Sequence, residues 1–507
     1  KPLSGYIVYY TLTTSSEEFV AKGYYGLNGG LNGGIDNTVP LEKDADLVDV
    51  SSENKDNINL VVLKRRIISG NIKTPGSLKA PKGGISVDVT VEGANITKNF
   101  IIPEGQSSVP YKVYVDPNLN TSGYKIKYTV KTANAGYTTN AYFNYNKPVQ
   151  NANEASLVDV STGDKVVDLV LIGNSAISGT VELPEKAPAN GLNVVVAATN
   201  GTYSASAEVY IAEGNTVVPF LLSLSPASGY KVYYTIAGNN KYAPKGYYNT
   251  SGTVLAESSA TAINIQNSDK SGIKLVPILN RKISGTVSLP SGYTPSGIVS
   301  VKVIASNGTY SSDVIKNLTA SASSASYEIF LPPVANYKLY YEVSSADIAN
   351  KGYYSTTGTV LDSNKAYAIN LSSSDYTANV TLIKNREVKG TVSVPEKAPK
   401  GGLYVKIVAS NKTYTYSQSI KIAQGSNSAQ YSIKVPPTSG YYVWYEVASI
   451  GDYFPKGYYK AVNQNAVLTE AEAQKLDLTN ADAENISFSL LNYNSISGRI
   501  SLSTEKA

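Results

Sequence analysis

Cysteine, histidine and methionine occur nowhere in this 507-residue chain. Without thiols there are no disulfides, no cysteine nucleophile and no zinc–thiolate site. Without imidazole there is no Ser-His-Asp triad, and most transition-metal centres lose their usual ligand. Charge is scarce too: charged residues are 16% of the chain, well below ordinary usage, and the net charge is +5. Lys and Arg gather no closer than Lys64-Arg65-Arg66, so no nucleic-acid partner is expected. No apolar run approaches the length of a transmembrane segment. What chemistry remains is that of carboxylates, Lys, Tyr and oxygen-ligated metals, and no cofactor is expected.

Tyrosine is abundant: 41 Tyr stand against 7 Phe and one Trp. Tyr suits half-buried strands, because the ring packs while the hydroxyl reaches a polar partner. A surface drawn from Ser, Thr, Asn, Tyr and Gly fits all-β extracellular modules better than cytosolic enzymes. The length exceeds what one core holds and predicts about three to five domains.

A segment of about 105 residues repeats along the chain. Its first marker is a Ser-Gly or Lys-Gly step with glycines at 70, 179, 285, 390 and 498, which are 109, 106, 105 and 108 residues apart. Its second is a Tyr-rich strand beginning at Tyr6, Tyr124, Tyr230, Tyr337 and Tyr441. Its third is Lys-Gly-Tyr-Tyr at 22–25, 245–248, 351–354 and 456–459, with Ala141-Tyr142-Phe143 in the remaining repeat. Within 283–387, strands are expected at 283–289, 299–305, 327–331, 337–343, the Lys-Gly-Tyr-Tyr segment, 366–371 and 380–383. Their turn signals include Pro290-Ser291-Gly292, Ser306-Asn307-Gly308 and Pro332-Pro333. Short strands at this density read as a sandwich. Thr469–Lys475 reads as one helical turn at most.

The expected fold is therefore all-β: a tandem array of Ig-like/prealbumin-like β-sandwich domains forming a rod. The units are a partial repeat at 1–67, sandwiches at 68–176, 177–282, 283–387 and 388–495, and the first strand of a further repeat at 496–507. Ile278-Leu279 runs into Ile283-Ser284-Gly285 through Asn280-Arg281-Lys282, and Ile383 reaches Val388 as directly. Neither joint contains a flexible Gly/Ser spacer. At ~3.3 Å per residue a sandwich of this kind spans roughly 30–40 Å, and the whole segment more than ~120 Å. The sequence reads as a window from a longer array, or less simply as a unit completed by strand addition from neighbouring copies. Gly26–Gly34 reads as a loop insertion and not a phosphate loop, since no Gly-Lys-Ser/Thr follows.

The stretches Ile283–Val287, Gly297–Val303 and Tyr327–Pro333 before Tyr337 resemble carboxypeptidase regulatory-like and Cna-B-type modules. The Lys-Gly-Tyr-Tyr segment is similar to repeat arrays of clostridial-type bacterial surface proteins. The resemblance implies transthyretin-like sandwiches acting as stalks or spacers. Some Cna-B modules carry a Lys–Asn isopeptide bond, and Lys64, Lys282 and Lys389 stand beside opening strands here. The units opening at Ile177 and Ile496 have Ala176 and Ser495 instead, so no such bond is expected in every unit.

Two sets of residues are candidate sites. In the Tyr-rich strand, Tyr230, Val232, Tyr234 and Ile236 share one face, and Tyr233 points the other way. Tyr233 and its counterparts Tyr9, Tyr340 and Trp444 form a candidate contact surface, with Lys127 in the second unit. These rings would be covered by their own loops, pack against a neighbouring rod, or stack on sugars. The second set is an acid 14–16 residues before each glycine: Asp56, Asp164, Asp269, Asp375, and Asp482 with Glu484. Such acids would close a turn through their own backbone or, with denser ligands than these, hold calcium. Neither a catalytic residue nor a metal ligand is assigned. Sequons at Asn200, Asn249, Asn307 and Asn411 carry little information in a chain so rich in Asn, Ser and Thr.

The functional expectation is a structural, non-catalytic protein of a bacterial cell surface, extracellular, serving as a stalk or fibre component. Its partners would be neighbouring copies, lateral or head-to-tail, or cell-wall and extracellular polysaccharide. The alternative is a polysaccharide-binding array attached to a secreted enzyme or adhesin.

Overall fold

The computed structural model describes residues 3–27, 37–116, 123–132, 136–448, 453–462, 466–494 and 496–501. The chain divides into two compact units, 1–237 with 244–277 and 238–243 with 278–507. Apart from single turns of 3-10 helix, the regular structure among the described residues is β. No helix there is long and apolar enough to cross a membrane.

The second unit shows the sandwich frame clearly. Its opening strand, Arg281–Ser288, pairs antiparallel with Ser324–Leu331 and parallel with the closing segments Tyr376–Thr377 and Val380–Thr381. The facing sheet runs in the order Ser311–Leu318, Val299–Ser306, Lys338–Val343, Lys351–Ser355, Gly358–Val360. Period-2 alternation decides which side is core: Val299, Val301, Val303 and Ala305 are buried, as are Leu339, Tyr341 and Val343. Asn307 makes the hairpin turn by accepting N–H groups from Thr309 and Tyr310. A second sandwich in this unit repeats the plan from Arg386–Ser393 to Phe488–Ser489.

The first unit contains two further sandwiches, opening with Arg66–Lys73 and Ser175–Glu182. It also holds a three-stranded sheet of Tyr9–Thr11, Lys22–Tyr25 and Thr38–Val39. Three of the apolar cores are each drawn from one stretch of chain: Ile68 to Leu171, Ile283 to Leu382, and Val388 to Leu490. The chain is thus a tandem array of β-sandwiches.

Several details depart from the sequence reading. Ser311–Leu318 is a full strand that the pattern did not announce, because it is a sheet edge with alternate positions exposed. Residues 366–371 make only one bridge, Ile369 to Tyr337. Residues 496–501 are exposed and belong to no strand, and most of the insertion read at 26–34 lies outside the described residues. The helical turn read at 469–475 is a 3-10 turn, Glu470–Glu472.

Candidate functional site

The marker glycine is a place where two strands nearly collide. A β-carbon built on Gly70, Gly179, Gly285 or Gly390 would stand 2.0, 1.8, 1.7 or 2.0 Å from a carbonyl oxygen of the closing strand. Across the antiparallel pair these glycines face Tyr111, Phe220, Tyr327 and Tyr431. Tyr111 donates its hydroxyl to Val167 O at 2.7 Å and Tyr327 to Ala378 O at 2.6 Å, and Tyr431 donates to Ile486 O. The glycine therefore admits the carbonyl, and the phenol satisfies it. Where Phe220 replaces Tyr, the closing strand Lys270–Leu275 pairs along Gly179 itself, through a bulge. In the repeats 68–176 and 283–387, both with Tyr, the closing strand breaks into two short segments around the carbonyl.

Other tyrosine hydroxyls do similar work at the sandwich ends. Tyr230, Tyr337 and Tyr441, all fully buried, donate to Ser225 O, Pro332 O and Pro436 O. Tyr10, Tyr128, Tyr341 and Tyr445 accept N–H groups from Leu63, Ile172, Ile383 and Leu491 at 2.9–3.0 Å. Burial pushes the phenol pKa of Tyr230 up to about 12, and those of Tyr111, Tyr128, Tyr327, Tyr341 and Tyr431 higher still. Phenylalanine would fill the same space and leave backbone groups unpaired, which accounts for the excess of Tyr.

The candidate acids have a structural role that differs from the expected one. Asp164, Asp269, Asp375 and Asp482 accept the N–H of Ile67, Ala176, Lys282 and Glu387 at 2.8–3.1 Å. Each carboxylate thus holds the start of its own repeat's opening strand, more than ninety residues upstream, instead of closing a local turn. Asp56 is exposed, in the stretch that contains no opening strand. Among the described residues, no three carboxylates come together. The ammonium groups of Lys282 and Lys389 lie 2.7 and 2.8 Å from Glu328 and Glu387 on partly exposed surface, not in a buried Lys–Asn pair. The sequon residues Asn200, Asn249, Asn307 and Asn411 donate their amides to the carbonyls of Ser228, Ser259, Ala335 and Ser439.

Tyr233, Tyr340 and Trp444 lie on the outer face of the larger sheet, half-buried, while Tyr9 is 51% exposed. Each pairs with the first Tyr of Lys-Gly-Tyr-Tyr: Tyr9 with Tyr24 (ring centroids 5.9 Å), Tyr233 with Tyr247 (5.5 Å), Tyr340 with Tyr353 (5.5 Å), Trp444 with Tyr458 (5.8 Å). The motif lysines Lys22, Lys245, Lys351 and Lys456 place their ammonium 4.0–4.4 Å from the centroid of the outward ring. Ala197, Ile304 and Val408, directly opposite across the sheet, are buried under these rings. The motif glycines sit below core tyrosines: a β-carbon on Gly23, Gly246, Gly352 or Gly457 would come within 2.5 Å of the ring of Tyr10, Tyr234, Tyr341 or Tyr445. Lys-Gly-Tyr-Tyr is thus a packing motif with a cation–aromatic cap on its outer side. In the repeat at 68–176, Lys127 faces Tyr142, whose hydroxyl reaches Glu92.

Beside this motif, the loop before it bonds to the segment that leaves the sandwich. Ala349 N–H donates to Ile383 O and Asn385 N–H to Asp347 O, both at 2.8 Å, and the Asn385 amide donates to Ala346 O. Lys434 forms an ion pair with Asp347, which also accepts from Tyr293; the ammonium holds that carboxyl below its usual range. In the first unit, Thr138 N–H bonds Ile172 O, Asn174 N–H bonds Gly136 O, and the Asn174 amide reaches Ser223. Arg65 takes the Asn position after the three-stranded sheet, donating its N–H to Glu18 O and pairing with Asp116.

No protein-family model matches this chain, and no curated protein matches it. Among solved structures, the chain is similar to the Bacillus anthracis TIE protein at 12% identity and a TM-score of 0.18, over 90% of this chain and 81% of that one. It is similar to a streptococcal ancillary pilin at 10% identity and 0.23, over 62% and 99%. It is similar to the full-length major pilin of Corynebacterium diphtheriae at 7% identity and 0.15, over 63% and 97%.

Proposed function

We propose that this chain is a load-bearing spacer, a stalk or fibre segment of an extracellular bacterial surface protein, without catalytic activity. The observation that carries this reading is the recurring loop-to-connector ladder, seen at Ala349–Ile383 with Asp347–Asn385 and at Thr138–Ile172 with Gly136–Asn174. It ties the segment leaving one sandwich to that sandwich's own loop and leaves no free residues for a linker. The frame resembles the transthyretin-like repeats of surface stalks, and neighbouring copies are the proposed partners. The domain limits proposed are those of the repeat, at 68–176, 177–282, 283–387 and 388–495.

Single-molecule pulling on the whole chain tests the mechanical part of this reading. Each sandwich should give way in its own step, lengthening the chain by roughly 350–380 Å, which is about 105 residues fully extended. A featureless extension at low force would contradict a load-bearing role.

The second reading, glycan binding by the outward aromatics, is favoured by the exposure of Tyr9. Against it, a lysine already occupies the neighbourhood of each outward ring. Titrating plant or cell-wall polysaccharides while following the fluorescence of Trp444 separates the two readings, since only binding predicts a spectral shift.

A further inference from the structure

The sandwich at 283–387 contains a group of rings that its frame does not require. Tyr367 and Tyr376 are stacked, with ring centroids 5.8 Å apart and planes 24° from parallel. Tyr354 meets both edge-on at 6.2 Å, and its hydroxyl lies 3.4 Å from that of Tyr376. Tyr367 is 40% exposed, so the group opens to solvent at one ring.

Backbone register identifies the same three positions elsewhere. Tyr367 N–H bonds Tyr354 O, as Thr261 bonds Tyr248, Ser156 bonds Phe143 and Gln474 bonds Tyr459. Tyr376 pairs with Ile283 in the opening strand, where the other repeats pair Lys270 with Ile177, Lys165 with Ile68 and Ala483 with Val388. The frame is thus satisfied by Thr, Ser or Gln at one position and by Lys or Ala at the other. Among the four described repeats, only this one carries phenols at both.

We propose that Tyr367 and Tyr376 are an oxidative coupling site, joined through a carbon–carbon bond between ring positions ortho to their hydroxyls. The oxidant is a peroxidase-class one-electron oxidant with hydrogen peroxide as terminal acceptor. Each phenol loses one electron and one proton, and the two phenoxyl radicals combine. The coupled rings regain aromaticity by two keto–enol shifts, so both hydroxyls are restored. The chain loses two hydrogen atoms in all, and the peroxide becomes two waters. Tyr367 is the ring an external oxidant reaches, Tyr376 is the neighbour held ready, and the two protons released are those taken up as the peroxide becomes water. Preorganised contact of this kind replaces an encounter between chains.

The outer pairs provide an internal contrast. Tyr233–Tyr247 and Tyr340–Tyr353 are as close, at 5.5 Å, but Lys245 and Lys351 stand 4.0 and 4.1 Å from the outward rings. A positive charge there opposes removal of an electron. The Tyr367–Tyr376 pair should therefore couple first.

The test is to expose the whole chain at low concentration to peroxidase and hydrogen peroxide, then cleave before aspartate. Cleavage at Asp362 and Asp375 separates Tyr367 from Tyr376 unless they are linked. The expected result is a linked fragment pair lighter by two hydrogens, at least about tenfold more abundant than any Tyr340–Tyr353 or Tyr233–Tyr247 link. It should vanish in Tyr367→Phe and in Tyr376→Phe, with the thermal transition of Tyr367→Phe unchanged. Links distributed by exposure alone, led by Tyr145 and Tyr404 between chains, would overturn the proposal. So would equal yields at Tyr340–Tyr353.

Discussion

Replacing Gly285 by Ala is the sharpest perturbation the frame allows. The new β-carbon would stand 1.7 Å from the Ala378 carbonyl oxygen and 2.6 Å from its carbon, both backbone atoms that no rotamer change can move. Gly285 does not have left-handed backbone geometry, so the cost is steric and not conformational. Overpacking of a core costs about 1–3 kcal/mol, and pushing the closing strand away also loses the Tyr327 hydrogen bond, worth about 1 kcal/mol. A total of roughly 3 kcal/mol would lower the melting temperature of a domain this size by on the order of 10–20 °C. Scanning calorimetry of the whole chain should show one transition moving by that amount while the others stay, because the cores are separate. Gly297→Ala, in the same sandwich with open space around its β-carbon, is the matched control and should change little. A shift below about 1 kcal/mol, or equal movement of all transitions, would refute the reasoning.

Three further outcomes follow from the hydroxyl and carboxylate contacts. Tyr341→Phe leaves the Ile383 N–H without its acceptor and should cost about 1–3 kcal/mol, with faster amide exchange at Ile383. Asp375→Asn keeps an oxygen for Lys282 N–H and should be close to neutral in denaturant melts, whereas Asp375→Ala should cost about 1 kcal/mol. Alkaline titration should be cooperative. The buried tyrosines hold their protons above the usual value of 10, whereas the unfolded chain releases them there. Their stabilisation is therefore intact below pH 10 and is lost as pH rises through the folded values. Tyrosinate absorbance from these buried residues should appear together with the loss of circular dichroism above pH 10; their ionisation near 10 with structure retained would count against this.

The repeat and its strands were legible because periodicity needs no partner. Three markers in fixed order pointed to a repeat, and strict alternation put Tyr230, Val232 and Tyr234 on one face, the face that is fully buried. Contacts far apart in sequence were not legible. Nothing local to Gly285 announces a carbonyl from residue 378, and nothing local to Asp375 announces the N–H of residue 282. Their regular recurrence was the available signal, and it showed that the positions matter without showing why. The edge strand Ser311–Leu318 escaped because an edge pairs on one side only and exposes Ser311, Asp313, Ile315 and Asn317. The lysine over each outward aromatic ring was not legible, because it belongs to the next strand and register alone brings it there.

Small-angle X-ray scattering of the chain in dilute solution tests the spacer account most directly. A compact body of this length would have a radius of gyration of about 23 Å. The proposed spacer role predicts a value well above that and a maximum dimension beyond ~120 Å, unchanged by added salt or glycan. A compact particle near 23 Å, or the broad profile of freely jointed beads, would contradict it.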